Sequence, residues 1–354
     1  MVRPSTLGVG FLGAGPVTQA IHLPTLARLG DDFRVTHVSD IDLDVARFVA
    51  DRVGARPSTS IDDLLNDPAV DVVAVCSPHQ FHAAQVIAAC QAGKRAVLCE
   101  KPFAMSGEEA SEIAAVSART AVPIVVGAMH TFDPGWEAVA QHWGGFAGSV
   151  HTVRSSIVLP PNPRMEDFAT EVITRPSPPP ARDLGDPEVQ AAMLSGGVMG
   201  LAIHDLPLVR RFLPHVDDLR VLSAHALAPF GYQIVVAAAG VRVELHAAMT
   251  ATWRAEWVLE AFSDEQALRV DFTPSYVPAG SATATLRTAD SATTFGPFQH
   301  NGYEGEWRRL AAIVHGKSPV PDSAALIDDL RFALAVAEQS AALSQSRQPA
   351  EARA

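Results

Sequence analysis

The chain has 354 residues, 48% of them hydrophobic, with a formal net charge of -12 and three cysteines. That is enough apolar material for two domains, while the acidic balance and the lack of a Lys/Arg-rich run exclude nucleic acid and anionic membrane as expected partners. Cys76, Cys90 and Cys99 fit neither a spaced disulfide nor a zinc pattern, so buried thiols in a reducing cytoplasm are expected, with no metal site.

No basic start followed by a long apolar run opens the chain, so no signal peptide is expected. The first element is an apolar strand through Leu7, Val9, Phe11 and Leu12, broken by Gly13-Ala14-Gly15. Pro16-Val17-Thr18-Gln19-Ala20-Ile21 then starts a helix, with Pro24 marking a kink or restart. Strand, glycine turn and helix is the context of a dinucleotide clamp: Gly13 allows the tight turn, Gly15 lets the backbone approach a pyrophosphate, and the helix start offers free N–H groups. Thr18 stands where a third glycine is usual, and the overlapping Gly8-x-Gly10-x-x-Gly13 falls inside the strand. An ordinary strand–turn–helix unit explains the same stretch without a ligand.

Phe33 to Val38 is the second strand, and Asp40 follows it. A carboxylate there accepts both hydroxyls of an adenosine ribose and repels a 2′-phosphate, favouring NAD over NADP. Alternatively, Asp40 caps the helix Leu43 to Arg52. A short helix at Asp62 to Leu65, a strand at Val70 to Cys76, a helix at Gln80 to Gln91 and a strand at Ala96 to Cys99 follow. A helix at Ser106 to Thr120, opening with the capping box Ser106-x-x-Glu109, and a strand at Ile124 to Ala128 complete the alternation. This is the pattern of a doubly wound parallel sheet.

After Pro134 the pattern changes. Val150 to Val158 alternates as a strand. Residues 160 to 187, with Pro178-Pro179-Pro180, read as a disordered loop or a lid. Glu188 to Leu213 reads as helix interrupted near Gly196-Gly197. Residues 221 to 241 read as two strands around a Pro-Phe-Gly turn rather than a membrane span. Further strands are expected at Val241 to His246, Trp257 to Phe262, Leu268 to Phe272 and Thr283 to Arg287, giving a largely antiparallel open sheet. One face packs on the helix Val198 to Leu213, and the other needs covering by a partner subunit. Tyr303 to His315 and Asp322 to Ser340 are closing helices, and the tail from Leu343 is expected to fray.

Ligands of a doubly wound sheet bind beyond the strand carboxyl ends, which selects Ser77-Pro78-His79, Glu100-Lys101-Pro102 and Met129-His130. Lys101 is placed to polarise a substrate oxygen; its plainer reading is a salt bridge to Glu100 or a helix end. His204, in the apolar stretch VMGLAIHDLPLV, is placed to take a carbinol proton; its plainer reading is a core histidine. His22, His79, His82 and His130 are softer candidates near the cofactor.

The stretches GFLGAGPVTQAIHLPTL, DVVAVCSPHQFHAAQVIAACQAGKRAVLCEKP, GAMHTFDP and GGVMGLAIHDL together resemble the glucose–fructose oxidoreductase/inositol dehydrogenase/rhizopine catabolism (Gfo/Idh/MocA) family. The resemblance implies a Rossmann domain (1–133), a substrate-binding and oligomerisation domain (134–342) and a flexible tail (343–354). It implies dinucleotide contacts from Gly13, Gly15, Pro16, Val17 and Asp40. Ser77, Pro78, His79, His82, Glu100 and Lys101 would lie toward the nicotinamide, with Lys101 and His204 catalytic. It further implies a sugar, cyclitol or polyol substrate and a homodimer or homotetramer through the second sheet. Three positions depart from the family pattern: Gly200 and Pro207 replace aspartates, and Thr131 replaces an arginine. The expected function is therefore an NAD-dependent dehydrogenase. The alternatives are a lyase, hydrolase or epimerase using tightly bound NAD, and a dinucleotide-binding sensor or assembly protein without turnover.

Overall fold

The computed structural model of the protein describes residues 6–175, 177, 182–277 and 280–346. The run Pro178-Pro179-Pro180 and the tail beyond Ser346 lie outside them. Six strands make the first sheet: β1 (Leu7–Leu12), β2 (Phe33–Ser39), β3 (Arg56–Ser58), β4 (Val72–Val75), β5 (Ala96–Glu100) and β6 (Ile124–Gly127). They pair in parallel in the order β3-β2-β1-β4-β5-β6. The order reverses between β1 and β4, where a crevice opens at the strand carboxyl ends. Edge strand β3 escapes sequence reading because it is three residues long and contains Pro57.

Alternate strand residues enter two different cores. Val9, Phe11, Val72, Ala74 and Leu98 face one, and Val73, Val75, Val97 and Cys99 face the other, so both sheet faces are apolar. Helices α1 (Leu23–Arg28) and α2 (Leu43–Val53) cover the first face; α3 (Ile61–Leu65), α4 (His82–Gln91) and α5 (Gly107–Thr120) cover the second. Ser106 caps α5 as expected, but Glu109 returns its carboxylate to the Met105 N–H rather than to Ser106.

Between the glycine turn and α1 the chain makes a π-turn, Thr18–His22, closed by Leu23 N–H to Thr18 O. Pro24 lacks the N–H that would continue an α-helix, and the wider turn accommodates it.

The second sheet runs β14-β13-β12-β11-β7-β10-β9-β8. Its strands are β7 (Thr152–Leu159), β8 (Arg220–Ala226), β9 (Gly231–Ala238), β10 (Val241–Met249), β11 (Glu256–Phe262), β12 (Ala267–Asp271), β13 (Thr283–Arg287) and β14 (Ala292–Phe295). All pairings are antiparallel except β7 with β10. Helices α6 (Pro134–Ala140), α7 (Asn162–Ala169), α8 (Pro187–Gly200), α9 (Leu206–Val209), α10 (Gly302–Val314) and α11 (Ser323–Ser346) complete the chain. Helix α8 packs on β8 and β9, and α11 lies along α8 and reaches α5.

The structure corrects four expectations. Helix α8 passes straight through Gly196-Gly197 and breaks at Leu201 instead. Gly197 serves close packing: a Cβ there would sit 2.7 Å from the Tyr232 ring. The 160–187 segment contains α7, and its following residues are tied to the first domain. Helix α11 extends to Ser346, so the fraying expected from Leu343 does not begin there. The uncovered face of the second sheet is not an apolar surface: across it run Glu244, Arg154, Glu260 and Arg269 in register, paired as Arg154–Glu244 at 2.9 Å and Arg269–Glu260 at 3.0 Å.

Helix α10 returns to the first sheet. Its Trp307 is fully buried against Phe11 and Phe33, with the Phe33 ring edge-on at 5.1 Å. No single helix among the described residues is long and apolar enough to cross a membrane.

Candidate active site

Two cavities lie at the carboxyl ends of the first sheet. One, about 230 Å³, is lined by Gly13, Ser39, Asp40, Ile41, Thr59, Ile61, Ser77, Pro78, Phe81 and Gln85. Its apolar walls include Ile41 and Phe81, which are 98% and 50% exposed although large and hydrophobic. Flat apolar walls around one carboxylate suit an adenosine.

The glycine turn is built for close approach. Gly13 has φ +97°, and a Cβ there would meet Cys76 O at 2.7 Å; at Gly15 an added Cβ meets nothing within 4 Å, leaving space in front of the loop. These two glycines therefore fit the dinucleotide role expected of them. Thr18, in place of a third glycine, donates its hydroxyl to Gly13 O at 2.7 Å and braces the turn.

Asp40 accepts the Ala14 N–H at 2.7 Å and the Asp42 N–H at 3.0 Å. It does not cap α2: Asp42 does, through the N–H groups of Asp44 and Val45. Asp40 thus ties the tip of β2 to the glycine turn and lines the cleft at the same time.

The second cavity, about 260 Å³, joins the two halves of the chain. Val17, Ile21, Glu100 and Lys101 line it from the first half; Leu159, Asn162, Gly200, His204, Phe230, Met249, Ser275, Tyr276 and Tyr303 line it from the rest. The Lys101 ammonium donates to Gly200 O at 2.6 Å. Burial pulls the Lys101 pKa down, and Glu100 opposes it.

His204 is 8% exposed, and its Nδ1 has no hydrogen-bond partner among the described residues. Burial, then the positive charges of Lys101 and His130, push its pKa well below the usual imidazole value. The ring is therefore neutral and able to accept a proton. Neither Gly200 nor Pro207 supplies a carboxylate to orient it. Two of the departures from the family pattern meet in space: Thr131 and Pro207 line one small cavity of about 70 Å³ behind Lys101.

Asp205, adjacent to His204, serves its neighbours. It accepts His130 Nδ1 at 2.8 Å, Ser155 Oγ at 2.6 Å and Trp257 Nε1 at 2.9 Å, and is fully buried. His130 stacks on Phe272 at 3.8 Å, and its ring centre lies 6.2 Å from that of His204.

Other expected residues sit elsewhere. His82 is fully buried, with Nδ1 on Pro102 O at 2.8 Å and Nε2 on Ser77 O at 2.7 Å, so it braces two loops and has no nitrogen left for a cofactor. His79 is exposed and packs edge-on to His82; partial burial, then Lys101 and His82, lower its pKa to about 4. His22 lies beneath the site, bonded to Glu100 at 3.0 Å. Pro16 begins the helical turn after Gly15, as expected.

Sequence reasoning passed over Gln19. Its fully buried amide brackets residue 173: Nε2 donates to Ile173 O at 3.0 Å, and Oε1 accepts the Ile173 N–H at 3.0 Å. Arg52 adds a bond to Glu171 O at 3.1 Å. The stretch after α7 is thereby strapped across the start of the glycine-turn helix. A polar residue inside an otherwise apolar turn was the available signal.

Residues 7–128 match the family described as "Oxidoreductase family, NAD-binding Rossmann fold", Gfo/Idh/MocA. Over this region, less than half of its length, the chain is similar to the Gfo/Idh/MocA oxidoreductases. Inositol 2-dehydrogenase 3 of Saccharopolyspora erythraea is 39% identical over 137 residues, which is 38% of this chain and 40% of that protein. The chain therefore aligns with less than half of that relative's length. Along nearly the whole chain the fold matches solved structures. UDP-N-acetylglucosamine 3-dehydrogenase GnnA of Acidithiobacillus ferrooxidans has a TM-score of 0.72 at 20% identity, covering 97% of this chain and 100% of that one. KijD10, a 3-ketoreductase from Actinomadura kijaniata solved with NADP, has a TM-score of 0.69 at 21% identity, covering 94% and 96%. At such identities the chain shares their fold.

Proposed function

We propose that this protein is a Gfo/Idh/MocA-type, NAD-dependent dehydrogenase acting on a secondary alcohol of a sugar, cyclitol or related polyol. The observation that carries the reading is the shared cavity: Lys101 and His204 face one space, which also reaches the glycine-turn helix through Val17 and Ile21. Inositol 2-dehydrogenase activity in a relative of the first half supports the substrate class.

Gly13, Gly15 and Val17 would hold the dinucleotide beside the turn, with Asp40 on the adenosine ribose. Among the described residues no Lys or Arg lines the Asp40 cleft to receive a 2′-phosphate, which favours NAD. When bound, NAD would supply the hydride acceptor for the substrate carbon. Lys101 then holds the substrate oxygen and stabilises its developing negative charge, and neutral His204 receives the hydroxyl proton. Ser77, Pro78, His79 and Glu100 form the surrounding wall.

We further propose a division near 133/134, with α10 crossing back to the first half, and self-association through the charged face of the second sheet. Light scattering of the protein with and without Arg154→Glu tests the latter: loss of an oligomer supports it, and a monomeric wild type rejects it.

NADH formation across a sugar and cyclitol panel, in wild type, Lys101→Ala and His204→Ala, tests the reaction. Turnover lost in both variants supports the assignment. Turnover indifferent to both overturns it, and product formation without NADH accumulation replaces it with internally redox-neutral chemistry.

A further inference from the structure

Beneath Lys101 lies a second group of titratable side chains: His22, Glu100 and Glu306, whose nitrogen and oxygen atoms lie within 4.8 Å of one another. Glu306 is completely buried, and neither of its carboxyl oxygens has a hydrogen-bond partner among the described residues. It sits on the inward face of α10, three residues after Tyr303 and beside Trp307.

A His/Glu/Glu trio suggests a cation, but the hydrogen bonds point otherwise. Trp307 Nε1–H donates to His22 Nδ1 at 3.1 Å. Nδ1 is therefore an acceptor, and the His22 proton sits on Nε2, donating to Glu100 Oε1 at 3.0 Å. A cation on Nε2 would move that proton to Nδ1, against the indole N–H. Burial opposes a charge on His22, while Cys76 and then Glu100 push its pKa up to about 10; that push needs an ionised Cys76, which burial keeps as a thiol, and with the indole N–H on Nδ1 the ring has room for one proton only and is neutral.

Two carboxyls this close, out of water, do not both ionise. Glu100 holds the negative charge, because it accepts His22 Nε2–H and the Lys101 N–H at 3.2 Å and lies beside the Lys101 ammonium. Glu306 has none of these. We propose that Glu306 is a proton-bearing positioning residue, whose neutral carboxyl leaves Glu100 as the single negative charge that keeps Lys101 cationic at the substrate oxygen. Burial and then the Glu100 charge raise the Glu306 pKa well above that of an ordinary glutamate, in the same direction.

The groups facing this carboxyl from the surrounding elements are few. They are His22 from the π-turn, Glu100 from the end of β5 and Tyr303 from α10 itself; Cys76, Cys99, Lys101 and Tyr276 act on Glu100 instead. His130, on the turn packed against α10, is engaged by Asp205; Arg28 and Arg308 are engaged by Glu304. When Glu306 ionises at high pH, a second negative charge arises under Lys101 and disturbs its placement at the substrate.

Only the Lys101 consequence rests on the proposed dehydrogenase reading; the proton on Glu306 is measured without it. Infrared difference spectra of cofactor-free wild type and Glu306→Gln at neutral pH are expected to show a protonated-carboxyl C=O band in wild type that the variant lacks. Glu100→Gln, by removing the neighbouring charge, should move the pH at which that band disappears downward by about one unit or more, a tenfold change in proton affinity. With cofactor and substrate, Glu306→Gln should shift the alkaline limb of kcat/KM to higher pH. An absent band in folded wild type, a band unmoved by Glu100→Gln, or stoichiometric transition metal in the purified protein would overturn the proposal. An unmoved alkaline limb with the band behaving as expected would overturn only the link to Lys101.

Discussion

The Lys101 ammonium reaches across the cleft to the carbonyl of Gly200 at 2.6 Å, joining the end of β5 to the last residue of α8. A substrate oxygen placed between them competes with that carbonyl for the same three protons. Lys101 is thus both a clasp between the two halves and the proposed polarising group. Lys101→Met should lower kcat/KM by roughly 10²- to 10⁴-fold, as loss of a group acting on the reacting oxygen does. Steady-state NADH kinetics check it.

Gly200 also bears on His204. An added Cβ at Gly200 meets nothing within 4 Å, and the imidazole Nδ1 of His204 has no hydrogen-bond partner among the described residues. Gly200→Asp should therefore be tolerated in folding and raise the His204 pKa by placing a negative charge nearby. The acid limb of kcat/KM should move to higher pH, and proton NMR of the histidine ring reads the same shift directly.

The lowered His204 pKa also makes a stability prediction. Unfolded, the ring binds its proton as pH falls through its ordinary value of 6.5; folded, it resists until well below that. Stability is complete above 6.5 and is lost as pH falls from there toward the folded pKa. His204→Gln should flatten the fall in Tm below pH 6.5, measured by calorimetry at several pH values.

Asp205 satisfies three buried donors at once, from His130, Ser155 and Trp257. Asp205→Ala strands all three in a dry core and should cost about 3–5 kcal/mol. Urea denaturation measures it. His204→Gln should cost less, because its Nδ1 has no hydrogen-bond partner among the described residues.

Asp40 makes a separable prediction about the cofactor. Its carboxylate supports the glycine turn through Ala14 and faces the adenosine cleft. Asp40→Ser should weaken NAD by roughly 1.5–3 kcal/mol and narrow its advantage over NADP. Titration calorimetry with both cofactors decides it.

Apart from β3, the first sheet was readable because its strands and helices obey their own local periods, from Leu7-Val9-Phe11 to Ile124. Lys101 and His204 were readable because each stands out in an apolar setting. What escaped depended on distant neighbours. Gly196-Gly197 signals a break locally, yet Gly197 is small because the Tyr232 ring lies against α8. Asp40 and Asp42 are equally plausible caps in one dimension; only the position of Ala14 assigns the first to the glycine turn. His82 looked available until both nitrogens were found on carbonyls. Glu306 carried a signal that sequence reading missed: a carboxylate on the same helical stripe as Tyr303, Trp307 and Leu310.

Helix α10 has a consequence for how the protein is made. The apolar surface of Phe11 and Phe33 leaves the ribosome long before Trp307, which seals it. A truncated product ending before Gly302 would carry that bare patch and invite aggregation.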